Sequence, residues 1–98
     1  MSKTNLLLQA STLPDAWRSL VIGKAANANI KILRMDDNAY PNETHEYVEA
    51  LLVLDGQLNL DIHDEIISVT RGEVFLVPAG VPHAVAPGSH GVLVIIDP

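Results

Sequence analysis

Apolar residues in this chain come in short runs, and turn-forming residues interrupt them at roughly 8–12 residue intervals, which confines the fold to short strands joined by tight connections. No stretch sustains a 3.6-residue apolar period beyond a single turn near Trp17. Residues 6–9 read as a short strand, 11–15 as a turn, and 19–22 as a strand that ends at Gly23. A loop of small and polar residues over 25–29 leads to a strand at 30–35, and 36–42 form a loop in which Pro41 suits a turn or strand edge. Asp55-Gly56 is a hairpin signal, because a primed turn needs positive φ at both central positions. Leu58-Asn59-Leu60-Asp61-Ile62 alternates, with its apolar residues directed inward. His63-Asp64-Glu65 is the next tight connection, to a strand at 66–69, and 70–73 turn the chain into a strand at 74–77. A strand at 84–86, a loop at 87–91 and a last strand at 92–96 complete the pattern. Many short strands with no internal repeat and no linker indicate an all-β sandwich or barrel, one domain over residues 1–98.

Composition excludes several functions. With 98 residues, 48% of them hydrophobic and only 18% charged, the chain can build a single core and is not a disordered tail. It contains no cysteine, which removes disulfides, thiolate-held zinc, iron–sulfur clusters and thiol nucleophiles together. A net charge of −6, with its six basic residues scattered, opposes binding to nucleic acid or to an anionic membrane. No apolar run approaches the roughly twenty residues of a membrane helix, and no targeting segment is visible, so the expected location is the cytoplasm.

One stretch does not fit a simple core strand. In Glu43-Thr44-His45-Glu46-Tyr47-Val48-Glu49, the odd positions would share one face of an extended strand, sending two carboxylates and an imidazole to the same side. The chain then runs into Ala50-Leu51-Leu52-Val53-Leu54, which is apolar on both faces. Buried carboxylates cost several kcal/mol unless they are paired, protonated or bound to a cation. A metal ion is the reading that accounts for them. Pro78-Ala79-Gly80-Val81-Pro82-His83 supplies a further imidazole some distance along the chain.

These two segments resemble the paired motifs of the cupins. Glu43-x-His45-x3-Glu49-x6-Gly56 is similar to the first, G-x5-H-x-H-x3,4-E-x6-G, and Gly72-x5-Pro78-x-Gly80-x2-His83 to the second, G-x5-P-x-G-x2-H-x3-N. Motif 1 therefore lies at 43–56 and motif 2 at 72–83. The resemblance implies an all-β jelly-roll barrel, the double-stranded β-helix. It also implies one divalent metal ion held by His45, Glu49 and His83, with Glu43 in the place of the first histidine. Three positions depart from the pattern: Glu43 offers oxygen where the motif has nitrogen, Asp37 stands at the leading glycine, and Pro87 at the closing asparagine. Glu43 is either the fourth ligand or a rim carboxylate beside the Asp36-Asp37-Asn38 loop. Two imidazoles and two carboxylates suit manganese, iron, nickel or zinc and disfavour copper(I).

Among other residues, Tyr47 shares the expected inward face and is a candidate proton donor, and hence a candidate catalytic residue. Arg34 follows Ile30 and Ile32 at even spacing and points either into the cavity or, as is commoner for arginine, to the surface. His63 and His90 sit in turn and loop and are expected to face solvent; Trp17 is expected as a core or interface aromatic. Two functions remain. One is a metalloenzyme of oxygenase or isomerase type acting on a small polar metabolite. The other is a non-catalytic cupin that binds metal or a small ligand for sensing or storage. A homodimer is expected, because small jelly rolls leave strand edges open, with Leu6-Leu7-Leu8 and residues 92–96 at the contact.

Overall fold

The computed structural model describes residues 1–98. In chain order the elements are α1 (Leu6–Ser11), β1 (Leu20–Ala25), β2 (Ala28–Met35), β3 (Tyr40–Glu43), β4 (Glu49–Ile62), β5 (Glu65–Thr70), β6 (Val74–Val77), β7 (His83–Val85) and β8 (His90–Asp97). The strands form a curled antiparallel sheet in the order β1-β2-β8-β4-β7-β3, with β5 and β6 both pairing with β4. This is a jelly-roll β-barrel: the turn spacing predicts a sandwich or barrel, and the motif resemblance implies the jelly roll.

Strand β4 holds the barrel together. One of its edges pairs with β6 and then β5, and the other with β8 and then β7. A single strand of 14 residues serves four neighbours, two along each edge. Gly56 has φ +81 and faces Gly91, with φ +97; a Cβ on either would stand 2.1 Å from a carbonyl oxygen of the opposite strand. Only glycine allows this approach. The hairpin expected at Asp55-Gly56 is therefore absent: Gly56 has positive φ but Asp55 does not, and both stay paired with β8, just past a bulge at Leu54 where the register shifts between Val53 and Asp55. True two-residue turns lie at Ala26-Asn27 and His63-Asp64, where both central residues have positive φ. The loop expected over 25–29 thus shrinks to two residues, and Gly23 lies inside β1, beside a bulge, rather than ending it.

Alternation fixes the core. Leu51, Val53, Leu58, Leu60 and Ile62 of β4 meet Leu33, Met35, Val69, Val77 and Leu93 inside the barrel. On the outer side of β2, Ile32 packs with Val92 and Ala10 in a smaller cluster covered by α1. Residues 6–9 are thus helical, not the expected strand. Asn5 caps the helix by accepting a hydrogen bond from the Leu8 N–H at 3.0 Å, and only Ala10 is fully buried. A helix this short shows no apolar period, and that is why the leucine run misleads. Strand β8 lies between β2 and β4, and its Val92, Leu93 and Val94 are buried. It has no free edge, so the dimer contact expected at 92–96 loses its premise.

Arg34 does not enter the barrel. Its guanidinium donates to the carbonyls of Leu13 (3.4 Å) and Pro14 (3.1 Å), pinning the N-terminal segment against β2. Trp17 adopts φ +64, donates its indole N–H to Asp36 at 2.8 Å and packs against the core and Tyr40. The Asn38 backbone N–H and then this indole hold the Asp36 carboxyl below its usual range.

Candidate metal centre

The stretch 43–49 does not form one strand. The chain leaves β3 at Glu43, bends at Glu46 and Tyr47, and enters β4 at Glu49. The side chains converge for another reason. Glu43 on β3 stands directly opposite His83 on β7, and the His45 carbonyl accepts a hydrogen bond from the Gly80 N–H at 2.7 Å. This bond ties the 44–48 segment to the Pro78–Gly80 turn and so brings His45 over His83.

The result is a compact donor set. His45 Nε2 lies 3.5 Å from Glu43 Oε2 and 3.7 Å from Glu49 Oε2, and His83 Nε2 lies 3.4 Å from Glu49 Oε1. One donor atom each from Glu43, His45 and His83 fall within 4.8 Å of one another. The four residues singled out in the sequence are thus brought together. Their environments differ: His83 and Glu49 are buried, His45 is half-buried, and the Glu43 side chain, 70% exposed, forms the rim.

Hydrogen bonding leaves the inner nitrogens free. His83 Nδ1 lies 3.1 Å from the Val81 carbonyl, which has only lone pairs to offer, so Nδ1 carries the proton and Nε2 presents its lone pair to the centre. His45 Nε2 is buried without any hydrogen-bond partner. An orphaned imidazole nitrogen costs free energy unless something fills the gap. A cation among four oxygen and nitrogen donors satisfies it, so the residues fit a divalent metal ion of the kind the motifs imply.

Electrostatics agree with that fit. Burial, and then the neighbouring Asp97 carboxyl, raise the Glu49 pKa above the usual carboxylate value, while the two imidazoles pull it down. Tyr47 stacks on His45 with ring centroids 5.0 Å apart and 10° between planes. Burial, followed by the Asp97 and Glu49 charges, raises its phenol above 10.0, so Tyr47 keeps its proton at neutral pH.

The donors line one side of a cavity of about 280 Å³. Its floor is aliphatic, from Leu33, Leu51, Leu58, Leu60 and Leu93. Two charged residues on its wall escaped sequence reasoning: Lys31 and the buried Asp97, whose Nζ and Oδ1 lie 2.8 Å apart. The signal was present in β2, where the odd residues 31, 33 and 35 face inward. Ile30 and Ile32 on the even side drew attention to Arg34 instead, because both faces of that strand are apolar. His63 and His90 are exposed and take no part in the site.

The cupin domain model matches residues 34–97, about two thirds of the chain and both motifs. The sequence matches no curated protein. Among solved structures, the chain is similar to a cupin-2 domain containing protein from Shewanella frigidimarina, at 24% identity over 97% of this chain and 93% of that one, with a TM-score of 0.87. A protein from Neisseria meningitidis shares 21% identity over 98% of both chains, with a TM-score of 0.83. A polyketide cyclase from Streptomyces resistomycificus shares 24% over 72% of this chain and 54% of its own, with a TM-score of 0.64. At these identities the likeness is one of fold.

Proposed function

The chain belongs to the cupin family, and from that premise we propose that it holds one divalent transition metal ion between Glu43, His45, Glu49 and His83 and acts there on a small polar metabolite. The observation that carries this reading is the buried, partnerless Nε2 of His45, aimed at two carboxylates and a second imidazole. Manganese, iron, nickel and zinc all suit the donors. When bound, the ion would supply Lewis-acid or oxygen chemistry of isomerase or oxygenase type.

The chain's own residues do the rest. Glu49 and His83 are buried and fixed, so they set the position of the site. Glu43 on the exposed rim is the ligand able to move aside and admit a substrate oxygen. Tyr47, protonated and stacked on His45 at the cavity wall, is placed to give a proton to that oxygen. The aliphatic floor excludes water and limits the substrate to a few carbons.

A second reading, a non-catalytic cupin that senses or stores a metal or small ligand, draws on the same floor. Tyr47, and Glu43 if it leaves the ion, are the main proton-transfer groups at the site, and a catalyst needs such groups in place. Incubating metal-loaded protein with small sugars, diketones and hydroxy acids, while following oxygen uptake and isomer composition, separates the two. Turnover of any class supports the enzyme; saturable binding with no turnover supports the binding protein.

A further inference from the structure

Four Lys, Asp and Glu side chains line the cavity: Lys31, Glu43, Glu49 and Asp97. Three carboxylates against one ammonium leave a formal charge of −2, which a divalent ion brings to zero. The only cation on the wall is already engaged. Lys31 Nζ lies 2.8 Å from Asp97 Oδ1, with the Asp97 side chain 3% exposed and that of Lys31 23% exposed. The attachment is one of charge, since Asp97 Oδ1 meets no aligned hydrogen-bond donor. The two residues meet because β2 and β8 are antiparallel neighbours: Asp97 stands opposite Asn29, and Lys31 follows two residues along the same face. Without Asp97, an unpaired ammonium lining the same cavity as a bound metal ion would form a two-point trap for an anion.

We propose that Asp97 determines ligand specificity: by cancelling Lys31 it keeps the metal-loaded cavity electrically neutral, so the site takes an uncharged polar molecule with adjacent oxygen donors, of the hydroxy-carbonyl kind, over a carboxylate or phosphate. This inference rests on the metal reading above. It explains why a lysine is retained in a cavity that is otherwise acidic and aliphatic: it offsets the buried Asp97 beside Glu49 rather than recruiting substrate. A short carbon chain on such a molecule would lie against Leu58 and Leu60 in a cavity of about 280 Å³.

The test uses cobalt(II)-loaded protein and two probes of one skeleton, lactate and lactamide, titrated by visible absorption. Asp97→Asn should tighten lactate binding by on the order of tenfold while moving lactamide less than about twofold, because an unpaired ammonium acts only on the anion. Lys31→Met should weaken lactate by a similar factor, and the double variant, neutral again, should return the lactate-to-lactamide ratio to the wild-type value. A purely structural role for either residue would not produce this compensation. Equal changes for both probes, an unchanged lactate affinity in Asp97→Asn, or a double variant that fails to restore the ratio would overturn the proposal. If Asp97→Asn does not fold, Lys31→Met and the double variant carry the same comparison. Absence of any cobalt spectrum from wild-type protein would overturn the metal reading itself, whereas a normal spectrum with unshifted ratios overturns this inference alone.

Discussion

Replacing Glu49 with glutamine should have opposite effects on the metal-free and metal-loaded protein. Glu49 is 7% exposed, lies 3.4 Å and 3.7 Å from two imidazole nitrogens, and sits beside the buried Asp97. Without metal, its charge is poorly compensated, and burial raises its pKa. A carboxyl whose folded pKa lies above its unfolded value binds more protons when folded. It is best tolerated at low pH and costs stability as pH rises from the ordinary carboxylate value through the folded one. Glutamine removes that cost. At pH 7 the metal-free Glu49→Gln protein should be more stable by about 1 kcal/mol, a low value for a buried polar group because the two imidazoles beside Glu49 already offset part of its charge. For a chain of this size that raises Tm by roughly 4–8 °C. With metal at a hundredfold above its Kd, wild type gains about 2.7 kcal/mol, or roughly 10–20 °C, and should overtake the variant, which loses the anionic ligand. Thermal melts from pH 4 to pH 8, with chelator and with manganese or zinc, read both effects. If the variant gains as much from metal as wild type, or is the less stable protein in chelator at pH 7, the reasoning about Glu49 is wrong.

Further outcomes follow from other parts of the molecule. Gly91→Ala places a Cβ 2.1 Å from the Asp55 carbonyl oxygen at φ +97, and should cost about 3 kcal/mol or more in chemical denaturation, from overpacking and backbone strain combined. Tyr47→Phe should leave metal content unchanged but lower any turnover by on the order of 10²-fold or more, and wild-type activity should show no loss from tyrosine ionisation below pH 10, since the phenol pKa is raised. Asn5→Ala removes the cap that accepts from the Leu8 N–H and should destabilise the protein by about 1 kcal/mol, measured by urea titration.

The barrel was legible in the sequence because its information is local. Leu58, Leu60 and Ile62 alternate on a half-buried strand, and Asp64 and Gly72 mark real turns. The convergence of Glu43, His45, Glu49 and His83 was legible because spacing around His45 and His83 records a motif. What misled were places where tertiary contact overrides local preference. Asp55-Gly56 carries the residues of a hairpin but continues β4 just past a bulge, and its glycine answers the close approach of the facing Gly91 instead of a turn. The residues from Glu43 to Glu49 alternate like a strand, yet the Gly80–His45 hydrogen bond bends them into a loop. Lys31 and Asp97 lie 66 positions apart, and nothing short of the β2–β8 register brings them to one wall.

The central claim is that His45, Glu49, His83 and the rim Glu43 are kept together by a doubly charged ion. Elemental analysis of freshly purified protein tests it most directly, on wild type beside His45→Ala and Glu43→Ala. The account predicts about one equivalent of manganese, iron, nickel or zinc in wild type, loss of it in His45→Ala, and weakened retention in Glu43→Ala. Wild-type protein that stays free of all four metals, even after incubation with each and removal of excess, would contradict it.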